Sequence, residues 1–477
     1  NGLLHGGATS ASHYMEFTTG DALQFIETTG PNAGFTTTQL FRDPSAWYHI
    51  VVAVSSSATG TDKIKVYVNG NQVTSFSYDA RSSWSSSPIN QSGQINYIGL
   101  AYSTSYTLDG YLGEVNFIDG QQLTPSSFGQ TDTVTGVWVP KKYSGTYGAQ
   151  GFYLPFTDTS STTNLVKDSS GNGNNWTPNN ISLTAGSTYD SMIDVPYCTG
   201  QTGGTQPSGN YCVMNGVAAG QTGFSRATLS NGNLTMTGTA GSGNYSGIAT
   251  IVIPTTGTWY WEFTCISTTG GSVWYGGIAA DNANYSTGSG TIVYYAGNGN
   301  YYKDGTNQST PVITYTTNDV IGFVCDITNN QVKFYKNGSL VYTASYTFSS
   351  SAKYFPYMEQ GSGSITQVTA FNFGQQPFAY TPPTNFKAIC TTNLPNSTIV
   401  KGNTVMDATL YTGTSANQTI TNSGSMQPDF LWIKKRNGAE QHVLVDSVRG
   451  WAVANSTPYQ LATNSTAAEL STQTDSV

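Results

Sequence analysis

The sequence predicts an all-β fold of tandem antiparallel β-sandwich (jelly-roll) modules joined by Gly/Ser/Thr-rich connectors. Three observations carry that expectation. Helical periodicity is nearly absent along the 477 residues. Short apolar or alternating runs recur between clusters of Gly, Asn, Asp and Ser, the pattern of sandwich and barrel strands. Two such runs, Lys63-Ile-Lys-Val-Tyr-Val-Asn69-Gly70 and Gln331-Val-Lys-Phe-Tyr-Lys-Asn337-Gly338, end on the same turn dipeptide. Asn-Gly supplies the two positive-φ positions of a type I′ turn, whose twist matches that of the strands it joins. The shared Lys-x-Tyr-x-Asn-Gly reads as two related sandwich modules.

Composition narrows the class. Only 9% of residues are charged, while 13% are aromatic, with 31 Tyr, 20 Phe and 9 Trp. That aromatic load can offset the entropy of ordering, so low charge here means a polar, uncharged surface rather than disorder. Such a surface suits an exposed or extracellular protein. The net charge is −8 and the densest basic run is Lys434-Lys435-Arg436, which excludes a phosphate-binding stripe and so nucleic acid as a partner. No stretch of 18 apolar residues occurs, so membrane insertion by a helix is not expected. The start, Asn1-Gly2-Leu3-Leu4-His5, has neither an initiator Met nor a signal-peptide pattern, as expected of a processed chain or a piece of a longer polypeptide.

Along the chain, residues 1–135 form the first expected module. Its visible strands are Trp47–Val54, the Tyr67 hairpin, Gln94–Leu100 and Gly110–Ile118. Phe41-Arg-Asp-Pro-Ser-Ala-Trp-Tyr-His-Ile50, Val66-Tyr-Val-Asn-Gly70 and Leu108-Asp-Gly-Tyr-Leu-Gly-Glu-Val-Asn-Phe-Ile-Asp-Gly120 resemble the laminin-G/concanavalin A-like modules of marine bacteriophage structural proteins. That resemblance implies a two-sheet jelly roll. It also implies further strands ahead of Phe41. None is evident there, and the expectation is a chain beginning inside the module.

Residues 136–220 read as connector and linker. Gly136–Lys142, Phe152–Phe156 and Asp168–Trp176 are similar to a stretch of the same phage proteins, and 199–220 is Gly/Thr/Ser-rich. The Asp168–Asn175 oxygens are of the type that holds Ca²⁺. They lack the alternating carboxylates and terminal Glu of an EF-hand loop, so the segment reads as a turn-forming loop and no cofactor is expected.

Residues 221–380 form the second full module. Thr258-Trp-Tyr-Trp-Glu-Phe-Thr264, Asn318–Asp326, Val332–Gly338, Tyr354–Tyr357 and Phe371–Phe378 resemble an SPRY domain in the family's order. The resemblance implies a β-sandwich that binds partners through loops and is not catalytic. Residues 381–477 form a third β-rich module, also expected to be incomplete. Gln427-Pro-Asp-Phe-Leu-Trp-Ile-Lys-Lys435 and His442-Val-Leu-Val-Asp-Ser-Val-Arg-Gly450 resemble a repeat near the ends of phage tail-fibre-like proteins.

Chemistry is poorly supplied. Retaining glycan hydrolysis, the strongest enzymatic rival, needs two carboxylates about 5–5.5 Å apart. The relevant strand reads Glu114-Val-Asn116-Phe-Ile118, with one carboxylate, and the chain has seven Glu in all. Glu114 therefore reads as a structural or rim residue, and the chain as no enzyme. His5, His13, His49 and His442 lack metal-ligand spacing; His49 reads as a strand residue with a satisfied ring. Cys198 and Cys212 flank a Gly-rich loop, and a disulfide and free thiols both remain open.

The candidate ligand contacts are three aromatic pairs near loop signals: Trp274-Tyr275, Tyr294-Tyr295 and Tyr301-Tyr302. Strand neighbours alternate faces, so one ring of each pair is expected in the core and the other outside. The resemblances imply a virion surface protein of a bacteriophage: a tail fibre, head fibre or capsid decoration displaying modules for adhesion to host glycan or protein. The alternatives are a virion scaffold docking only on other virion proteins, and an extracellular cellular adhesin. A homo-oligomer is expected by analogy with fibres, as a trimer, although no heptad seam is present.

Overall fold

The computed structural model describes the chain except residues 9–10, 28–32, 44–45, 86–88, 91–92, 102–104, 134–135, 197–208, 217–226, 239–244, 269–273, 282–291, 309–311, 361–365, 396–397, 400–401, 423, 451–458, 467 and 470–477. Its regular elements among the described residues are nearly all strands, in several antiparallel sheets, as the sequence predicts. The chain divides into two compact units: Asn1–Gln130 with Trp138–Pro395, and Thr131–Val137 with Asn396–Val477.

In the first unit, strands β1 (Gly2–Ala8), β2 (Ala11–Phe17), β3 (Ala22–Glu27) and β4 (Gly34–Leu40) come before anything the sequence made visible. They correct the expectation that no strand precedes Phe41. For β1 the reason is local: it has three glycines in seven residues, which weakens β-propensity and hides the alternation. Next come β5 (Ile50–Val54), β6 (Ile64–Val68), β7 (Asn71–Gln72), β8 (Phe76–Asp79), β9 (Asn96–Ile98) and β10 (Val115–Phe117). One sheet runs β8-β4-β3-β2-β1-β9, and β5-β6-β7 forms another. Leu23, Phe25 and Phe35 from the first pack with Ile64, Val66 and Val68 of β6 and with Trp84. Burying each such large apolar side chain stabilises the fold by about 1.5–3 kcal/mol.

Three strands are shorter than their sequence runs. β5 starts at Ile50, because Trp47, Tyr48 and His49 are held elsewhere: the Trp47 indole donates to the Asp194 carbonyl at 3.1 Å, and the Tyr48 ring meets Phe41 edge-on. β9 ends at Ile98, since Gly99 takes φ +80°. β10 begins at Val115, since Glu114 takes φ +55°.

β11 (Gly129–Thr131), β12 (Trp138–Pro140), β13 (Phe152–Leu154) and one helical turn, α1 (Thr162–Leu165), follow. β13 is fully buried and pairs with β10. Trp138 seals the first hairpin: a Cβ on Gly70 would sit 2.6 Å from its ring. Its indole N–H donates to His49 Nδ1 at 3.1 Å, so the His49 ring is satisfied although it lies outside the strand. Residues 189–196 tie the first module to the second. Ile193 N–H donates to the Gln375 carbonyl at 2.7 Å, and Met192 packs on the second core.

The second module contains β14 (Ala227–Ser230), β15 (Thr235–Gly238), β16 (Tyr245–Ile248), β17 (Thr258–Thr268), β18 (Trp274–Ala280), β19 (Ile292–Ala296), β20 (Tyr301–Lys303), β21 (Thr306–Asn307), β22 (Val320–Asp326), β23 (Gln331–Lys336), β24 (Ser339–Ser345), β25 (Tyr354–Gln360), β26 (Gln367–Asn372) and β27 (Lys387–Ala388). One sheet runs β14-β15-β26-β17-β22-β23-β24, with β27 parallel to β17; the other runs β16-β25-β18-β19-β20-β21. Trp259, Trp261 and Phe263 of β17 alternate inward with Ile321, Phe323 and Cys325 of β22. Opposite them stand Trp274 and Ile278 of β18 and Tyr354 and Met358 of β25. Gly276 makes this fit possible, since a Cβ there would lie 2.3 Å from the Phe263 ring. Cys212, Cys265, Cys325 and Cys390 are buried free thiols, and Cys198 lies outside the described residues.

In the second unit, β28 (Phe430–Ile433) and β29 (Val443–Asp446) form an antiparallel hairpin. They are the cores of the two motifs singled out in the sequence. No helix among the described residues is long and apolar enough to cross a membrane.

Candidate binding face

The outer face of the six-stranded sheet is set by β18. Trp274, Gly276, Ile278 and Ala280 turn into the core, so Tyr275, Gly277 and Ala279 turn away from it. β25 does the same with Phe355, Tyr357 and Glu359. A second apolar cluster forms here, of Ile248, Ala279 and Tyr357 with half-buried Tyr275, Tyr302 and Phe355 packed against it.

The six aromatics separate accordingly. Trp274 is 0% exposed and Tyr301 5% exposed, both inside the sandwich core. They are corrected from candidate ligand contacts to core residues, because their strands' alternation points them at the other sheet. Tyr301 packs on the rings of Phe334 and Tyr342. Tyr275 and Tyr302 come together on the outer face, edge to face with centroids 6.5 Å apart. The backbones of Tyr294 and Tyr295 pair with Tyr302 and Tyr301 in β19–β20; their side chains lie outside the described residues.

A residue the sequence did not single out completes the face. Glu359 is 4% exposed, and its Oε2 accepts the Tyr357 hydroxyl at 2.5 Å. Burial first, then the Glu359 carboxylate and the Tyr302 phenol, push the Tyr275 hydroxyl up to about 12, so it remains a neutral donor at physiological pH. Strand periodicity carried the signal, since Tyr357 and Glu359 stand two apart. The register against β18 was needed to place them beside Tyr275 and Gly277. The half-buried rings of Tyr275 and Tyr302 are the amphipathic part of this face, aromatic bodies with phenol tips, and the buried Tyr357–Glu359 pair lies beside them.

Glu114, Asn116 and Asp168 are hydrogen-bonded within the fold. Tyr153 donates its hydroxyl to Glu114 Oε2 at 2.6 Å, and Tyr147 donates to Asn116 Oδ1 at 2.9 Å. The left-handed backbone at Glu114 breaks the single pleated strand assumed for a carboxylate pair. Asp168 is 6% exposed and accepts from Tyr153 N, Ser170 N, Ser170 Oγ and Asn174 N at 2.8–2.9 Å. Burial would raise this carboxyl; the converging donors hold it below its ordinary value. Its oxygens pin the loop to β13. No group of three or more His, Cys, Asp or Glu suited to a metal occurs among the described residues.

Three family profiles match in succession. Residues 2–127 match the concanavalin A-like lectin/glucanases superfamily, 258–376 the SPRY domain, and 401–477 a domain of unknown function, DUF7483. The chain thus carries a concanavalin A-like module and an SPRY module. Among solved structures, the SPRY domain of human HERC1 is 21% identical, covering 32% of this chain and 94% of that one, with a TM-score of 0.28. A second human SPRY domain is 15% identical, covering 32% and 98%, with a TM-score of 0.26. Comparison with curated proteins returns no match. The candidate face belongs to the SPRY module, on its six-stranded sheet.

Proposed function

We propose that this chain is a non-catalytic virion surface protein of a bacteriophage, a tail fibre, head fibre or capsid decoration, whose SPRY module adheres to host-surface glycan or protein. The observation that carries the adhesive half is the outward Tyr275–Tyr302 pair with Glu359 and Tyr357 beside it. Core aromatics need no such placement, and tyrosine rings with hydroxyl donors suit sugar faces and protein hot spots alike. The virion half rests on the motif resemblances in the first and third modules. Weak contacts suffice on such a particle, because avidity over many copies exceeds single-site affinity by roughly 10²–10⁴.

The test is glycan-array and host-cell binding by the full chain, repeated with Tyr275→Ala/Tyr302→Ala. Binding that falls at least tenfold in the double variant, with an unchanged thermal melt, supports the reading. Equal binding by both proteins removes this face. Release of reducing sugar from host polysaccharide overturns the non-catalytic part. Localisation at a buried virion junction replaces adhesion with scaffolding.

A further inference from the structure

Nothing in the binding face accounts for the β28–β29 hairpin. Phe430 is 54% and Trp432 58% exposed, and Val445 is the buried hydrophobic residue of this unit among the described residues. An isolated two-stranded hairpin is marginal in water; three or more strands with an apolar face are needed for stability.

The backbone says where further strands attach. Ser447 N–H donates to the Asp429 carbonyl at 2.8 Å. In an antiparallel ladder bonded pairs alternate with unbonded ones, so Leu431/Val445 and Ile433/Val443 exchange bonds while Trp432/Leu444 does not. Leu444 confirms this by turning its N–H and C=O away from β28, to Leu461 at 2.9 and 3.0 Å. By the same alternation, Phe430 and Trp432 direct theirs to the opposite edge. No described segment pairs with that edge. An open, apolar edge strand is a template for another chain.

We propose that β28 pairs antiparallel with β28 of a second copy of this chain, about a two-fold axis at Trp432. Edge-directed residues must meet edge-directed residues, which leaves few registers. Centring on Phe430 brings Pro428, which has no N–H, into the ladder. Centring on Leu431 sets Asp429 against Ile433, and centring on Ile433 sets Leu431 against Lys435. Centring on Trp432 places Asp429 opposite Lys435, Leu431 opposite Ile433 and Trp432 opposite itself. That register alone among these sets opposite charges across from each other, and the symmetry makes it do so twice. Lys435, which meets Glu440 of its own chain at 3.3 Å on the surface, is exposed and free to share. The product is a continuous sheet at least four strands wide, with Phe430 and Trp432 of both copies on one face.

Sedimentation equilibrium of the full chain tests this. The wild type is expected as a dimer. Asp429→Lys alone sets lysines against Lys435 of the other copy, and Lys435→Asp alone sets two aspartates together. Two reversed cross-strand pairs raise the dimer Kd by about tenfold or more in each variant. An equimolar mixture of the two restores dimers, because each chain then meets the opposite sign at both contacts. Two misfolded chains do not regain a dimer, so the mixture also controls for folding. Trp432→Lys, which puts like charges on the axis, gives the same loss by an independent route. A wild type that is monomeric or trimeric overturns the proposal. So does a dimer indifferent to all three substitutions, or a mixture no tighter than its components.

Discussion

Asn337 clamps Val320 from both sides: Val320 N–H donates to the Asn337 side-chain Oδ1 at 2.8 Å, and Asn337 N–H returns a bond to the Val320 carbonyl at 2.8 Å. The first module repeats the device. His49 N–H donates to Asn69 Oδ1 at 2.9 Å, and Asn69 N–H to the His49 carbonyl at 2.8 Å. Both asparagines hold φ +48°, and the glycines after them +80° and +81°. The Asn-Gly turn thus serves the neighbouring strand as well as the turn. Replacing Asn69 or Asn337 by Gly keeps the conformation and removes only the amide. Asn69→Gly is expected to cost about 1 kcal/mol, the usual worth of one such bond, and Asn337→Gly more, because its Nδ2 also donates to Asp319 Oδ1 at 2.8 Å; both read as a lower urea midpoint at unchanged slope.

Glu262 sets a pH dependence in the SPRY module. It is 2% exposed, and its oxygens accept Ala379 N–H at 2.7 Å, Asn372 Nδ2 at 3.3 Å and the Tyr260 hydroxyl at 3.2 Å. Burial pushes its carboxyl up to about 7, against the lowering effect of those donors. The folded state therefore holds this proton more tightly than the unfolded chain. Its stabilising contribution is full below about pH 4.5 and is lost as pH rises to about 7. Glu262→Gln removes that slope. Its melting temperature relative to wild type is expected to climb by a few degrees between pH 5 and pH 8; parallel curves would refute this.

His13 acts in the opposite direction in the first module. Its ring lies 4.4 Å from the Trp84 ring centroid, is 1% exposed, and has no hydrogen-bond partner for either nitrogen among the described residues. Glu27 stands 3.8 Å from Nε2. Burial pushes the imidazole down to about 4. The neutral ring is the folded form, so stability is full above about pH 6.5 and falls as pH drops towards 4. His13→Phe keeps an aromatic ring on Trp84 and cannot titrate. Its unfolding free energy is expected to be flatter across that window, whatever its absolute value; chemical denaturation at pH 4.5 and 7 decides.

What the sequence determined by itself was local. Alternation at Ile64, Val66 and Val68, and the Asn-Gly pairs at 69–70 and 337–338, specify hairpins through backbone sterics alone, and these stand where expected. The presence of one inward and one outward ring in the pairs 274–275 and 301–302 was legible for the same reason. Which ring faced inward was not: that depends on β18 lying beside β25 and β20 across from β24, a matter of register between distant segments. β1 was not legible because its three glycines carry little alternation; β2–β4 hold one glycine between them and are placed by pairing with their neighbours in the sheet. Tertiary structure also decided the carboxylates. Glu114, Asp168, Glu262 and Glu359 look alike in the chain. They differ because Tyr153, the 168–174 loop, the Ala379 strap and Tyr357 each supply a partner that no local pattern encodes.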